Sequence, residues 1–253
     1  MISAICCISD RPDDLLPHFF KHYVSMGVER FYFGIYGAEN NDIWRSVQRY
    51  AGDLDVRLTK LYTTLFFDSV AESTFKTEIS AQLHHPLYKN SWYVPVDIDE
   101  LHTIDGYNCY QHLTEDVQSE GADYVNAWMY DRIASDGSIP ATIRPDISIW
   151  DQFPHCDQIS VKILEGKSCV SKVMLAKTPI PVRLGHHAPG HMGTEDLYRK
   201  FSQEGVTHHF KWFGNVQQRE VFKYESNITY NFTWTWEHQR VIDHIAARGG
   251  RMF

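Results

Sequence analysis

The sequence predicts an α/β fold in which a parallel sheet is covered by helices, and three observations carry that prediction. Four short apolar runs alternate with three stretches of helical periodicity over the first hundred residues. Gly, Pro or Asp punctuates most of the changes. At 253 residues, 43% apolar and 14% aromatic, the chain can bury a sizeable core and reads as one domain, 1–253.

The elements follow in order. "ISAICCIS" (2–9) is a buried strand, and "DRPDD" is a turn. "LLPHFFKHYVSMG" (15–27) has apolar residues at helical spacing and closes on Gly27, a natural C-cap. "RFYFGIYG" (30–37) is a second strand. "ENNDIWRSVQRYAG" (39–52) is an amphipathic helix with Asp42 as N-cap. "DVRLTKLY" (55–62) is a third strand, 69–90 is helical until Pro86, and "WYVPVDID" is a fourth strand. The β-α-β-α-β-α-β order implies a parallel sheet. Beyond it we expect a helix over 104–121 and a strand over 122–133. A strand over 168–177, a helix over 194–205, a strand then loop over 206–214 and a helix over 237–250 complete the pattern.

Composition narrows the function. A formal charge of −8 speaks against non-specific nucleic-acid binding, which needs a basic patch. Five cysteines without paired spacing are no disulfide framework, and no CxxC occurs. The N-terminal apolar run is too short for a signal, and no stretch reaches the roughly 18 apolar residues of a membrane span. The expected setting is reducing and cytoplasmic. Two sequons, at Asn227 and Asn231, point the other way.

The chemistry concentrates in "WYVPVDIDELHTI" (92–104). Asp97 and Asp99 are two apart, which in a strand puts both carboxylates on one face. In open α/β sheets, ligands sit outside the carboxyl ends of the strands, where these acids fall together with Asp10 and Arg11 at the end of strand one. Carboxylates so close repel, and each needs a raised pKa or a cation. Mg2+ or Mn2+, which favour oxygen ligands, would resolve the repulsion. A solvated turn at a strand end is the alternative.

"WYVPVDIDEL", taken with "ISAICCISDRPDDLLPHFFKHYVSMGVERFYFGIYG", resembles the GT-A nucleotide-sugar glycosyltransferases, and more narrowly the family-2-like members with a D-x-D-E[FL] motif. "WMYDRIASDG" and "HHFKW" are similar to further blocks of that subgroup, and the resemblance covers about residues 1–215. It implies a GT-A, Rossmann-like mixed sheet, mostly parallel, with helices on both faces. It also implies a nucleotide-binding half (1–103) and an acceptor and catalytic half (104–215); the remainder, 216–253, is a C-terminal extension that carries no such resemblance. The implied activity is transfer of a sugar from a nucleoside diphosphate sugar to a glycan or other hydroxyl acceptor, with Mn2+ or Mg2+ as cofactor.

The resemblance maps the metal ligands to Asp97 and Asp99, supported by Glu100 as a hydrogen-bond acceptor. It places Asp10 and Arg11 at the nucleotide. A C-terminal histidine joins the metal shell, for which His209 is the first candidate and His186 the second. Asp131, followed by Arg132, is the candidate base if the reaction inverts; a structural Asp–Arg pair closing a turn is the alternative. Lys211 could meet a diphosphate oxygen and Trp212 could stack on a sugar, against a solvated Lys beside a core Trp. "HHAPGHMG", with His186, His187 and His191, could close over the donor.

Two other classes stay open. A metal-dependent phosphohydrolase or nucleotidyltransferase could use the same acids and histidines, although "SDRPDD" is neither the Gly-rich nor the basic loop a triphosphate needs. A non-catalytic module could bind sugars or nucleotides on the plentiful aromatics.

Overall fold

All seven residues of β1 (Ile2–Ile8) are buried, as a strand paired on both edges and covered on both faces must be. The structure is a computed structural model that describes residues 1–8, 12–36, 41–61, 69–84, 91–229 and 235–253. Asp10, Arg11 and Asn231, as well as the Asn227 side chain, lie outside what is described. The chain divides into two compact units, Met1–Trp128 with Ser171–Thr207, and Met129–Val170 with His208–Phe253.

In the first unit, β1, α1 (Pro12–Ser25), β2 (Arg30–Tyr36), α2 (Asn41–Ala51), β3 (Asp55–Leu61), α3 (Ser69–Leu83) and β4 (Trp92–Asp97) follow the expected alternation. Strands β3, β2, β1 and β4 lie side by side in that order, all parallel. Antiparallel β8 (Ser171–Lys177) continues the sheet beyond β4, so the sheet is mixed.

Alternation along the strands decides which helix covers which face. Phe31 and Phe33 meet Phe19 and Phe20 of α1, with ring centroids 5.1–6.2 Å apart. Gly34 points the opposite way, and a Cβ there would stand 2.9 Å from Phe75 of α3 and 3.1 Å from Cys7. A glycine inside this strand therefore marks the close approach of α3. Helices α1 and α3 thus cover opposite faces, as the alternation requires when β1 feeds β2 on one side and β3 feeds β4 on the other. Each fully buried large side chain of these layers stabilises the fold by about 1.5–3 kcal/mol. Helix α1 ends as expected: Gly27 has φ +84°, and Val28 N donates to Tyr23 O at 2.9 Å.

Several elements depart from expectation. The fourth strand stops at Asp97, the chain turns over Ile98 and Asp99, and a separate strand, β5 (Glu100–Thr103), follows that is no neighbour of β4 in the sheet. The helix expected over 104–121 is only α4 (Tyr110–Ser119), because Gly106 at φ +82° makes a turn bridged by Ile104 and Tyr107. The helix expected over 194–205 is one 3-10 turn, Glu195–Leu197. Tertiary pairing overrides its helical pattern: Asp123 N donates to Arg199 O at 2.7 Å and Phe201 N to Tyr124 O at 2.9 Å.

Strand β6 (Tyr124–Ile133) begins in the first unit and ends in the second. There it pairs with β7 (His155–Asp157), which follows α5 (Ile149–Gln152) and precedes α6 (Ile159–Ile163). Strand β9 (Gly205–His209) also passes from the first unit to the second, where α7 (Val216–Thr229) and α8 (Thr235–Ala247) follow it. The sequence reading proposed no element for α7, and α8 matches the helix expected over 237–250. No helix among the described residues is long and apolar enough to cross a membrane.

Candidate active site

Asp97 closes β4 opposite Cys7 of β1, on the face that α3 covers. Helix α3 brings Glu72 and Lys76, one turn apart, under it. Lys76 Nζ donates to Glu72 Oε1 at 2.5 Å and to Asp97 Oδ1 at 3.0 Å. Strand β8 brings Lys172, whose Nζ is 2.9 Å from Glu100 Oε1 and 3.6 Å from Asp97 Oδ2. His186 completes the cluster, with Nδ1 3.1 Å from Lys76 Nζ and Nε2 2.9 Å from Glu100 Oε2. Because Lys76 can only donate, Nδ1 accepts and the ring hydrogen sits on Nε2, facing Glu100.

The cluster is buried: Glu72, Lys76, Glu100 and His186 are at most 1% exposed, and only the Asp97 side chain, at 25%, reaches solvent appreciably. Burial and the neighbouring Glu100 charge push the Asp97 carboxyl up, but the Lys76 ammonium above all, with Lys172, holds it well below the usual carboxylate range. Burial also pushes both lysines down, and their carboxylate neighbours outweigh it, so both keep their charge. Removing ions from water costs several kcal/mol each, and apolar residues often fill such a space with equal or better stability. A charged network at a strand exit is thus costly for a structural role and typical of functional sites.

The backbone agrees. His186 has φ +46°, in a region a non-glycine residue seldom adopts, and it follows Gly185 at φ +63°. Such strain persists where the surroundings fix it, here through Glu100 and Lys76.

The structure therefore brings together Asp97, Glu100 and His186 from the candidates named by sequence. Asp99 sits half-buried in the turn that follows. Glu72, Lys76 and Lys172 were not foreseen. Glu72 and Lys76 had a signal: they extend the Ile79–Leu83 stripe of α3 upstream at helical spacing, so two charges stand where apolar residues belong. Lys172 had a weaker one, a charge at the entry of an apolar strand.

Glu72, Asp97 and His186 each offer a ligand atom within 4.8 Å of the others, the spacing of a cation site. For a resident Mn2+ or Mg2+ the donor set does not fit, because the Lys76 ammonium already contacts all three residues. Lys76 Nζ has three hydrogens, and Glu72, Asp97 and His186 accept all three.

The second unit holds the remaining candidates. Asp131 is 2% exposed, and its carboxylate accepts Ser160 N at 2.6 Å and Ser160 Oγ at 3.0 Å. His209 Nδ1 stands 3.4 Å from Asp131 Oδ1. Burial pushes Asp131 up, and His209, Lys211 and Ser160 together hold it below the usual range. Arg132 donates to His208 Nδ1 and Pro154 O, both at 3.1 Å, and lies over Trp150. Trp212 is fully buried, packed with Ile133, Ile159 and Val241, and the Lys211 ammonium lies 4.5 Å from its ring centre. In the first unit, His187 Nδ1 bonds Ser171 O at 2.8 Å and His191 is exposed.

No protein-family model and no curated protein matches the chain. Solved structures do. The inositol-1-phosphate CTP transferase from T. maritima is 11% identical at a TM-score of 0.37, covering 87% of this chain and 93% of its own. HddC from Yersinia pseudotuberculosis, complexed with GMP-PN, is 11% identical at 0.34, with 57% and 69% covered. Core-mannan synthase A from Aspergillus fumigatus, in a Mn/GDP form, is 10% identical at 0.30, with 55% and 44% covered. These likenesses are partial.

Proposed function

We propose that the protein is a glycosyltransferase that moves a sugar from a nucleoside diphosphate sugar to a hydroxyl acceptor. One observation carries the reading: the Asp97 cluster lies at the carboxyl end of β4, beside β1, where the sheet order β3-β2-β1-β4 reverses direction. That reversal is where open α/β sheets bind nucleotides, outside the strand ends. The D-x-D-E motif stands at this place, and the resemblance of its surroundings to the GT-A enzymes supplies the reaction class.

The chemistry is consistent with the cluster. Sugar transfer leaves a nucleoside diphosphate behind, and groups fixed in advance around the developing charge lower the barrier. Lys76 and Lys172 cancel two of the three carboxylate charges, which weakens repulsion of an approaching diphosphate. Asp97, the accessible member, is the group best placed to meet the donor. Asp131 is poorly placed as a base, since it is 2% exposed and each of its oxygens already accepts from Ser160. We assign Asp131 instead to positioning α6.

A thermal-stability screen of nucleoside diphosphate sugars tests the reading. At least one donor should raise the unfolding midpoint, and acceptor should then release the nucleoside diphosphate. Formation of a nucleoside diphosphate sugar from a triphosphate and a sugar phosphate would identify a nucleotidyltransferase instead.

A further inference from the structure

The atoms around Lys76 Nζ are those a divalent ion would choose: Glu72 Oε1 at 2.5 Å, Asp97 Oδ1 at 3.0 Å and His186 Nδ1 at 3.1 Å. The surroundings follow the same plan. A metal-bound histidine commonly donates its second ring N–H to a carboxylate, and His186 Nε2 faces Glu100 Oε2 at 2.9 Å. A metal shell is thus present with an ammonium at its centre.

We propose that this site works with a resident cation, the Lys76 ammonium, in the position of a divalent ion. Neither the folded site nor donor binding then requires a metal. Three further points carry the inference. The three hydrogens of Lys76 Nζ are taken up by its three partners, with Lys76 itself 1% exposed, and Glu72 Oε2 stays buried without a hydrogen-bond partner. An entering ion would have to expel a charged side chain from partners that neutralise it, and one partner of a buried pair left alone is strongly unfavourable. Mg2+ also gives up its waters reluctantly, which suits open sites rather than one in which Glu72 and His186 are at most 1% exposed. Charge gives the same answer: three carboxylates against Lys76 and Lys172 leave one net negative charge, whereas removal of Lys76 leaves two, the complement of a divalent ion.

The inference deepens the proposed function and rests on it only for the identity of the donor. The experiment therefore begins without nucleotide. Wild-type protein and Lys76→Met are titrated with MnCl2 and CoCl2, following heat of binding, unfolding midpoint and the visible spectrum of Co2+. The wild type should take up no ion at this site and keep its midpoint in EDTA. Lys76→Met should unfold at lower temperature, gain about one equivalent of ion with a histidine-ligated Co2+ spectrum, and recover stability. The gain should vanish in Lys76→Met/His186→Ala.

Wild-type uptake of one ion that Glu72→Gln or Asp97→Asn abolishes overturns the proposal. So does a folded Lys76→Met that gains no ion. If Lys76→Met does not fold, the wild-type titration still decides. A second arm measures binding of the donor found in the screen: affinity unchanged in EDTA supports the proposal, and affinity lost in EDTA and restored by Mn2+ overturns it. Absence of any donor overturns the proposed function alone, because the metal arm contains no nucleotide.

Discussion

Lys76 Nζ stands 3.0 Å from Asp97 Oδ1, joining α3 to the end of β4 across 21 residues of sequence. That contact explains how an apolar strand ends in acids with no cation in its own stretch: the cations come from α3 and β8. Removing one partner of a buried ion pair costs about 3–5 kcal/mol. Lys76→Met in metal-free buffer should lose stability on that order by denaturant unfolding. Adding Glu72→Gln should restore part of it, since groups in one network do not act independently. Additive losses in the double mutant would contradict the network.

Acid should destabilise the first unit in two stages. His102 is 0% exposed, and burial holds its imidazole down to about 3; burial likewise lowers His187 to about 3 and His22 to about 4. An unfolded histidine binds a proton near pH 6.5, so between that pH and the lowered folded values the unfolded chain holds more protons. Stability is therefore full above about pH 6.5 and falls as pH falls towards 3–4, by up to about 1.4 kcal/mol per pH unit for each such histidine. Asp97, with its folded pKa depressed, adds a loss below about pH 4. Thermal unfolding from pH 8 to 4 checks the first stage, and His102→Leu should flatten its slope.

Asp131→Asn tests the structural role of that carboxylate. It keeps the shape but replaces a charged acceptor of two Ser160 hydrogen bonds, so stability should fall by about 1–3 kcal/mol. Ser160→Ala should show a smaller loss of the same kind. An unchanged unfolding midpoint with a large fall in turnover would return Asp131 to the role of base.

Gly34→Ala tests the approach of α3. The added Cβ would lie 2.8 Å from Leu61 and 2.9 Å from Phe75, and overpacking of this kind costs about 1–3 kcal/mol. Phe75→Leu in the same chain should relieve part of the cost. Because Phe75 shares α3 with Glu72 and Lys76, any donor binding should weaken in Gly34→Ala as well.

Much of the first half was legible because its elements announce themselves locally. Gly27 closes α1, and the apolar runs of β1, β2 and β4 are buried throughout or nearly so. The turn at Ile98 and Asp99 was not legible, since "DIDEL" contains no turn residue beyond its acids. The region 194–205 has helical spacing, yet its backbone pairs with Asp123 and Tyr124. Such long-range pairing leaves no local trace.

The site divides in the same way. Asp97, Glu100 and His186 stand out by residue type, but their geometry depends on α3 and β8, remote in sequence. The cation beside Asp97 is a lysine 21 residues upstream of it. Only the interruption of the Ile79–Leu83 stripe by Glu72 and Lys76 hinted at it.

On the proposed function, the Asp97 cluster at the β1–β4 reversal is a donor site. It is tested most directly by calorimetric titration of the donor found in the stability screen into wild-type protein and Asp97→Asn, both in EDTA. Circular dichroism confirms that the variant is folded. One binding site is expected in the wild type and at least a tenfold loss of affinity in the variant, about 1.4 kcal/mol. Equal affinity in the two proteins would contradict it.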